Sequence, residues 1–370
     1  MSTSPVFFIQ AWWRGLDKGV FAFAMVASVL GIAWVASSSE SLALRVDVER
    51  FYFAYRQWTV FVFSCACLMA LSMMGRRHIL LFSMVALGLL SLLLVAVLNY
   101  GDSIHGAQRW ITLREWRFQP TELVKPFLII LSAWLFQRHF LDPDGYSLVL
   151  HLVLFVLILT LIMAQPDIGQ AVLIMMVWGL QCFVAGGRMR FLLGLALMFL
   201  GFFVVAYGTF PHVSVRLSEF MNSATEESYQ VGRSLRAFAH GGLLGVGMAQ
   251  GVVKIQLPDA HGDFVFAVIG EEWGFMGCFM VLCALAWFVR HCMVAIGALS
   301  RHEELWVLLA IFGLMSMLTI QSIIHMASVM ALIPTKGMTL PFLSYGGSSL
   351  LGSCVTIGLL LALMRRRVSC

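Results

Sequence analysis

Residues 79–99 read ILLFSMVALGLLSLLLVAVLN, twenty-one positions without one charged side chain. A helix of that length runs about 30 Å, the thickness of a bilayer's hydrocarbon core. Within lipid no water satisfies backbone N–H and C=O groups, so the run is read as a membrane-spanning helix. It follows the basic loop Gly75-Arg76-Arg77-His78 and opens into a polar loop at 100–119. The same alternation recurs along the chain. Spans are expected near 19–37, 54–74, 79–99, 120–136, 147–165, 168–186, 190–209, 263–289, 305–333 and 346–364. The fifth and sixth are joined only by the hairpin Gln165-Pro166-Asp167. The fold class that follows is all-α: a polytopic membrane protein of about ten transmembrane helices, a single transmembrane domain over 1–370.

Composition agrees. Hydrophobic residues make up 60% of the 370 positions and charged residues 12%, against about half and a quarter in soluble domains. Ten spans use about 200 residues, which leaves no room for a soluble catalytic domain beside the bundle. The net charge of +5 comes from scattered basic residues, so nucleic acid is not an expected partner. The eight cysteines fall in apolar runs or in loops assigned to the cytoplasm, and no disulfide framework is expected. Cys65-Ala66-Cys67 lies in an apolar run without His or Asp nearby and reads as packing, not as a metal site. The first apolar run is long enough to span and lacks a clear small-residue cleavage site, so no cleavable signal peptide is expected.

Ten spans put both termini on one side. Lys and Arg divide evenly between the two faces, but one set sits in very short loops, such as Arg76-Arg77 and the terminal Arg365-Arg366-Arg367. The other set lies largely in the long loops 100–119 and 210–262, which weigh less in setting orientation. Both termini are therefore expected in the cytoplasm, with 1–18 a cytoplasmic tail and 210–262 a large outer loop between spans seven and eight.

Ionisable residues within spans are costly and mark function by default. Glu122 and Lys125, at the outer start of span four, are three apart and share a helical face. They read either as a structural ion pair or as part of a charged outer cavity. Glu271 and Glu272 in span eight point about 100° apart and cannot share one cation; Arg56 is either a partner for one of them or a snorkelling side chain. His325, midway along span nine, reads as a hydrogen-bonded core histidine. In loop 100–119, Arg109, Arg114 and Arg117 surround Trp110, Trp116 and Phe118, the pattern of an aromatic interface belt with arginines at phosphate depth.

Tyr229 to His240 is amphipathic, with Val231, Leu235, Phe238 and Ala239 on one arc and Arg233, Arg236 and His240 on another. This predicts a short interfacial helix, apolar side down, ended by Gly241-Gly242. Gly245-Val246-Gly247 lacks the ending of a phosphate-cradling loop. Asp263, at the first turn of span eight, suits a helix N-cap, a role that explains the residue type without chemistry.

These pieces, in this order, resemble the SEDS family of cell-wall proteins (shape, elongation, division, sporulation). The resemblance rests on Gly106 to Trp110 with Phe118 to Lys125, on Gln165-Pro166-Asp167-Ile168-Gly169, on Tyr229 to Gly247, on Leu257 to Gly274, and on Pro334 to Ser349. The Pro334-Thr335-Lys336-Gly337 form points to the division branch. His325 and Val329 depart from the family, which commonly has asparagine there.

The resemblance implies a peptidoglycan polymerase of septal cell-wall synthesis: an inverting glycosyltransferase that adds lipid II units to glycan and releases undecaprenyl pyrophosphate. By the family's motif Asp263 is the catalytic carboxylate. The substrate-binding set is Arg109, Glu122, Lys125, Asp167, Arg233, Arg236, Lys254, Lys336 and Ser344. No cofactor is evident, no metal ligands are assigned, and a divalent cation is left open. The implied partners are lipid II, a class B penicillin-binding protein acting as septal transpeptidase, other division proteins and membrane lipid. The implied location is the bacterial cytoplasmic (inner) membrane at the septum. A lipid II flippase is the alternative. It needs a polar route to the cytoplasmic half, whereas the charges found in spans lie mostly near the outer face.

Overall fold

The computed structural model describes residues 5–39, 42–43, 47–104, 107–114, 116–141, 145–186, 194, 201, 226–299, 304–334 and 337–365. They form twelve α-helices: α1 (Pro5–Gly15), α2 (Lys18–Ser38), α3 (Tyr52–Ser72), α4 (Arg76–Tyr100), α5 (Thr121–Leu141), α6 (Ser147–Ala164), α7 (Ile168–Val184), α8 (Glu226–Gly241), α9 (Val265–Glu272), α10 (Gly274–Leu299), α11 (Leu305–Val329) and α12 (Gly347–Met364). Seven of them, α2, α3, α4, α6, α10, α11 and α12, are long and apolar enough to cross a membrane. Two more match expected spans: α5 carries Glu122, Lys125 and Arg138, and α7 is apolar but 17 residues long. Nine of the ten expected spans thus coincide with helices, and the seventh, 190–209, falls outside the described residues except for Gly194 and Gly201.

Local signals start these helices. Asp17 caps α2 by accepting from the Val20 N–H at 3.0 Å, and Asp167 caps α7 through the Gln170 N–H. In α5 Glu122 lies in the first turn and Arg138 and His139 in the last, matching the helix dipole at both ends. The expected tail is a helix, α1, whose Trp12 indole donates to Ser72 Oγ at 3.2 Å.

α11 and α12 are buried along most of their length, packed against α5 and α3, as befits helices apolar all round. By contrast α4, α6 and α10 turn large side chains outward, among them Leu89, Leu92, Val149 and Phe275, the surface expected where lipid is the solvent. The seven described cysteines are free.

The structure corrects three expectations and details a fourth. Loop 100–119 holds a three-stranded antiparallel sheet, β1 (Asp102–Ile104), β2 (Ala107–Leu113) and β3 (Trp116–Phe118), paired Asp102↔Trp110 and Ile111↔Phe118. Span eight is broken: α9 ends at Glu272 and α10 begins at Gly274, whose φ is +64°. Helix α8 is present over the expected residues and seats its small side on protein. Ser234 and Ala237 are buried, while Leu235 and Ala239 on the expected lipid-facing arc are exposed. Ser234 Oγ donates to Val329 O at 2.6 Å, and Gly241 lies against Gly270 O so closely that a Cβ would collide. Finally, the cap of α9 is Phe264, with no side-chain cap bond, so Asp263 lies one residue before the capping position.

Candidate active site

The outer ends of α5 and α7 carry a chain of buried polar groups. Lys125 Nζ lies 2.8 Å from Glu122 Oε2, with both side chains almost fully buried. The i,i+3 spacing on α5 puts them on one face, as expected. Glu122 also accepts from Gln170 Nε2 at 2.6 Å, and Lys125 donates to Gln321 Oε1 at 2.9 Å. On the other side Asp167 accepts from Gln119 Nε2 at 2.8 Å and lies 3.8 Å from Arg109. Arg109 reaches from β2 to the carbonyls of Gln165 and Pro166, so the sheet is tied to the α6–α7 hairpin. Burial pushes the Asp167 carboxyl above its ordinary range, and the Arg109 charge opposes this. The structure therefore brings Arg109, Asp167, Glu122 and Lys125 into one network.

Segment 337–346 joins this network to Asp263. Gln321 Nε2 donates to Thr339 O at 3.1 Å, and Thr339 Oγ1 lies 2.6 Å from Ser349 Oγ. Two residues before Thr339, Gly337 has φ +59°, and a Cβ built on it would lie 3.3 Å from Asp263 Oδ2. Asp263 is half-buried. The backbone just before it is held by one segment: Ser344 Oγ donates to Gly262 O at 2.8 Å, and Tyr345 N donates to His261 O at 2.8 Å. Gln57 of α3 grips the same segment, donating to Ser344 O at 3.2 Å and accepting from Gly346 N at 3.3 Å. The His261 ring packs on Phe53 and Tyr345, and burial there lowers its pKa against the opposing charge of Asp259. Ser344, 3% exposed, thus contacts the loop that carries Asp263.

Other residues of the expected set lie apart. Lys254 pairs with Glu272 and donates to Ser37 O at 2.9 Å. Its neighbour Glu271 accepts from the N–H groups of Val253 and Lys254 at 2.8 and 2.9 Å, and faces His240 at 3.0 Å. The two carboxylates face separate partners, Glu272 the Lys254 ammonium and Glu271 the His240 ring, and neither is Arg56, which stacks over Trp116 at 4.9 Å. Arg233 donates to Gln256 O at 2.7 Å, and Arg236 is exposed. Lys336 lies outside the described residues. His325 is a buried core histidine whose Nδ1 meets Met338 O at 2.6 Å. Among the described residues no three His, Cys, Asp or Glu side chains cluster as a metal site would require.

Sequence reasoning missed the glutamines. Gln119, Gln170 and Gln321, all buried, bond the charged residues, and buried Gln57 holds the 344–346 segment; for Gln57, Gln170 and Gln321, uncharged amides inside apolar runs were the available signal. Gln170 Oε1 is buried without a partner, an acceptor left open in the network.

Residues 17–368 match the cell cycle protein family of FtsW, RodA and SpoVE. The chain is 32% identical to a probable peptidoglycan glycosyltransferase FtsW of Caulobacter vibrioides, over 96% of this chain and 91% of that one. It is 33% identical to the corresponding protein of Saccharophagus degradans, over 95% and 93%. Its structure resembles a chain of a peptidoglycan synthase complex that coordinates polymerization and crosslinking (TM-score 0.77, 26% identity, 95% and 98% covered). It also resembles the rod shape determining protein RodA of Thermus thermophilus (TM-score 0.71, 26% identity, 96% and 99% covered). With its multi-pass bundle and outer network of buried charge, the chain belongs to the FtsW/RodA/SpoVE family, the SEDS family of the resemblance, and is a peptidoglycan glycosyltransferase of the FtsW type.

Proposed function

We propose that the protein polymerises lipid II at the outer face of the cytoplasmic membrane, at the division septum, with Asp263 as general base. The acceptor's GlcNAc 4-hydroxyl attacks the anomeric carbon of a lipid-linked MurNAc. As the new C–O bond forms, the bond to the pyrophosphate breaks, the hydroxyl proton passes to Asp263, and undecaprenyl pyrophosphate leaves with the electron pair. The observation that carries the reading is the position of Asp263. It is half-buried, it precedes the capping position of α9, and its carboxylate adjoins the positive-φ Gly337 of the 334–349 segment.

Glu122, Lys125, Asp167 and Arg109 hold the shape and charge of the cavity wall beneath it. Arg236 and Lys336 meet the pyrophosphate, where cations stabilise the departing charge. Ser344 sets the Asp263 loop, and Lys254 and Arg233 anchor loop 242–262. The relative solved within a synthase complex that polymerizes and crosslinks supports a crosslinking partner, the class B penicillin-binding protein.

Asp263→Asn tests the base directly. An amide cannot take the hydroxyl proton, while its size and hydrogen-bonding reach are kept. Reconstituted polymerisation of lipid II should fall about 10²–10⁴-fold with the thermal midpoint unchanged. Polymerisation near the wild-type rate would remove Asp263 from the chemistry and turn the search to Asp167 or Glu122.

A further inference from the structure

Segment 337–346 meets Asp263 at Gly337, where φ is +59° and a Cβ would lie 3.3 Å from Asp263 Oδ2. Glycine takes this conformation at no steric cost, but it also restrains the backbone least of all residues. Where Gly337 sits against the carboxylate is therefore set by what holds the peptides after it. Two side chains of α11 do so. Gln321 Nε2 donates to Thr339 O at 3.1 Å, and His325 Nδ1 lies 2.6 Å from Met338 O. A carbonyl oxygen only accepts, so this Nδ1 carries the proton. Residues 321 and 325 are four apart and stand one above the other on a helix, about 6 Å along its axis. They grip consecutive carbonyls of the segment.

The two grips differ. Gln321 is shared with Lys125 and so belongs to the charge network. The His325 ring is fully buried, and its other nitrogen, Nε2, has no hydrogen-bond partner. An unpaired buried nitrogen is costly, and an apolar side chain at this position would avoid the cost. What the histidine supplies instead is the bond to Met338 O. Its own turn of helix is well anchored, since Ser328 Oγ donates to His325 O at 2.8 Å and Ser234 Oγ of α8 to Val329 O at 2.6 Å. A group that sets another's geometry works best from such a rigid element.

We propose that His325 is a positioning residue for glycosyl transfer: its Nδ1–H holds the Met338 carbonyl and thereby sets Gly337 against the Asp263 carboxylate. The proposal rests on Asp263 as the general base and names a side chain that aligns it from the membrane interior.

The test uses the full chain in phospholipid nanodiscs with lipid II as substrate. His325→Leu keeps an apolar side chain and removes the donor. Its kcat should fall about tenfold, because small misplacements of a catalytic group are expensive, while KM stays unchanged, the pattern of an interaction made only in the transition state. His325→Asn should keep most of the wild-type rate, because its amide nitrogen, like Nδ1, is carried on Cγ and can donate to the same carbonyl. In an Asp263→Asn background His325→Leu should cost nothing further, since a residue that acts through the carboxylate has nothing left to align. Amide hydrogen exchange over 337–346, which needs no turnover, should quicken in His325→Leu and stay normal in His325→Asn. An equal loss in both backgrounds, a raised KM at full kcat, a wild-type rate in His325→Leu, or a loss in His325→Asn as large as in His325→Leu would each overturn the proposal. Near-wild-type polymerisation by Asp263→Asn alone would overturn the base reading instead, and the exchange result would still show whether His325 holds the segment.

Discussion

At the scale of single residues, the Glu122–Lys125 pair shows what burial does to charge. Two ions removed from water must each find partners, and here each has a second one, Gln170 for the carboxylate and Gln321 for the ammonium. Deleting one member strands the other, at a cost of about 3–5 kcal/mol for a buried pair. Glu122→Ala and Lys125→Ala should therefore each lower both the thermal midpoint and polymerase activity, whereas the double variant should lose less than the two losses added. Strict additivity in the double-mutant cycle would show that the pair is uncoupled. The pairing was legible in the sequence because i,i+3 is a property of the helix alone. Its extension through Gln170 and Gln321 was not, since nothing local relates α5 to α7 and α11. Asp263 was found by motif, and its cap role by residue type. The cap role fails, because α9 starts two residues after Asp263.

Among elements, the broken span eight is the feature that hydropathy could not show. Residues 263–289 are apolar throughout apart from Asp263 and the two glutamates, so they read as one helix. A break inside a membrane is tolerated only if the freed backbone groups find partners in protein. Loop 242–247 supplies them. Val246 and Gly247 donate to Glu271 O and Glu272 O, each at 3.0 Å, while Phe275 and Met276 donate to Gly242 O and Leu243 O at 2.9 and 3.1 Å. Lys254 completes the joint through Glu272 and Ser37. The loop partners lie 25 and 33 residues upstream of the groups they bond, and sequence periodicity carries no trace of such a contact. Lys254→Ala should leave Glu272 buried without its cation and lower stability by about 3–5 kcal/mol, with no change in KM for lipid II in the fraction that remains folded. A raised KM with an unchanged thermal midpoint would return Lys254 to the substrate. The sheet at 102–118 had a visible signal, the β-prone run Trp110-Ile111-Thr112, but its arginines and tryptophans fitted an interface belt equally well.

For the whole molecule, the outer placement of the charge network depends on orientation, and orientation can be tested without any assay of chemistry. The basic residues tie in raw number between the faces, so the argument rests on loop length: short loops such as 75–78 constrain insertion more than loops as long as 210–262. The interior is consistent with that polarity. In the opposite half of α5, α6 and α7, Ser132, His151 and Trp178 are hydrogen-bonded to one another at 2.6 and 2.8 Å, Gln181 donates to Ile129 O and Leu309 O at 3.2 and 3.1 Å, and the cavity between these groups and Lys125 has a volume of about 10 Å³, room for about one water. That is too little for a sugar headgroup to pass, so the geometry favours chemistry at one face over transport between two. A reporter active only outside the cytoplasm should therefore give signal when fused after Pro258 and none when fused after Arg366. The reverse pattern would put Asp263, Arg109 and the whole network in the cytoplasm, on the wrong side for assembling a wall, and the proposed mechanism would fall with it.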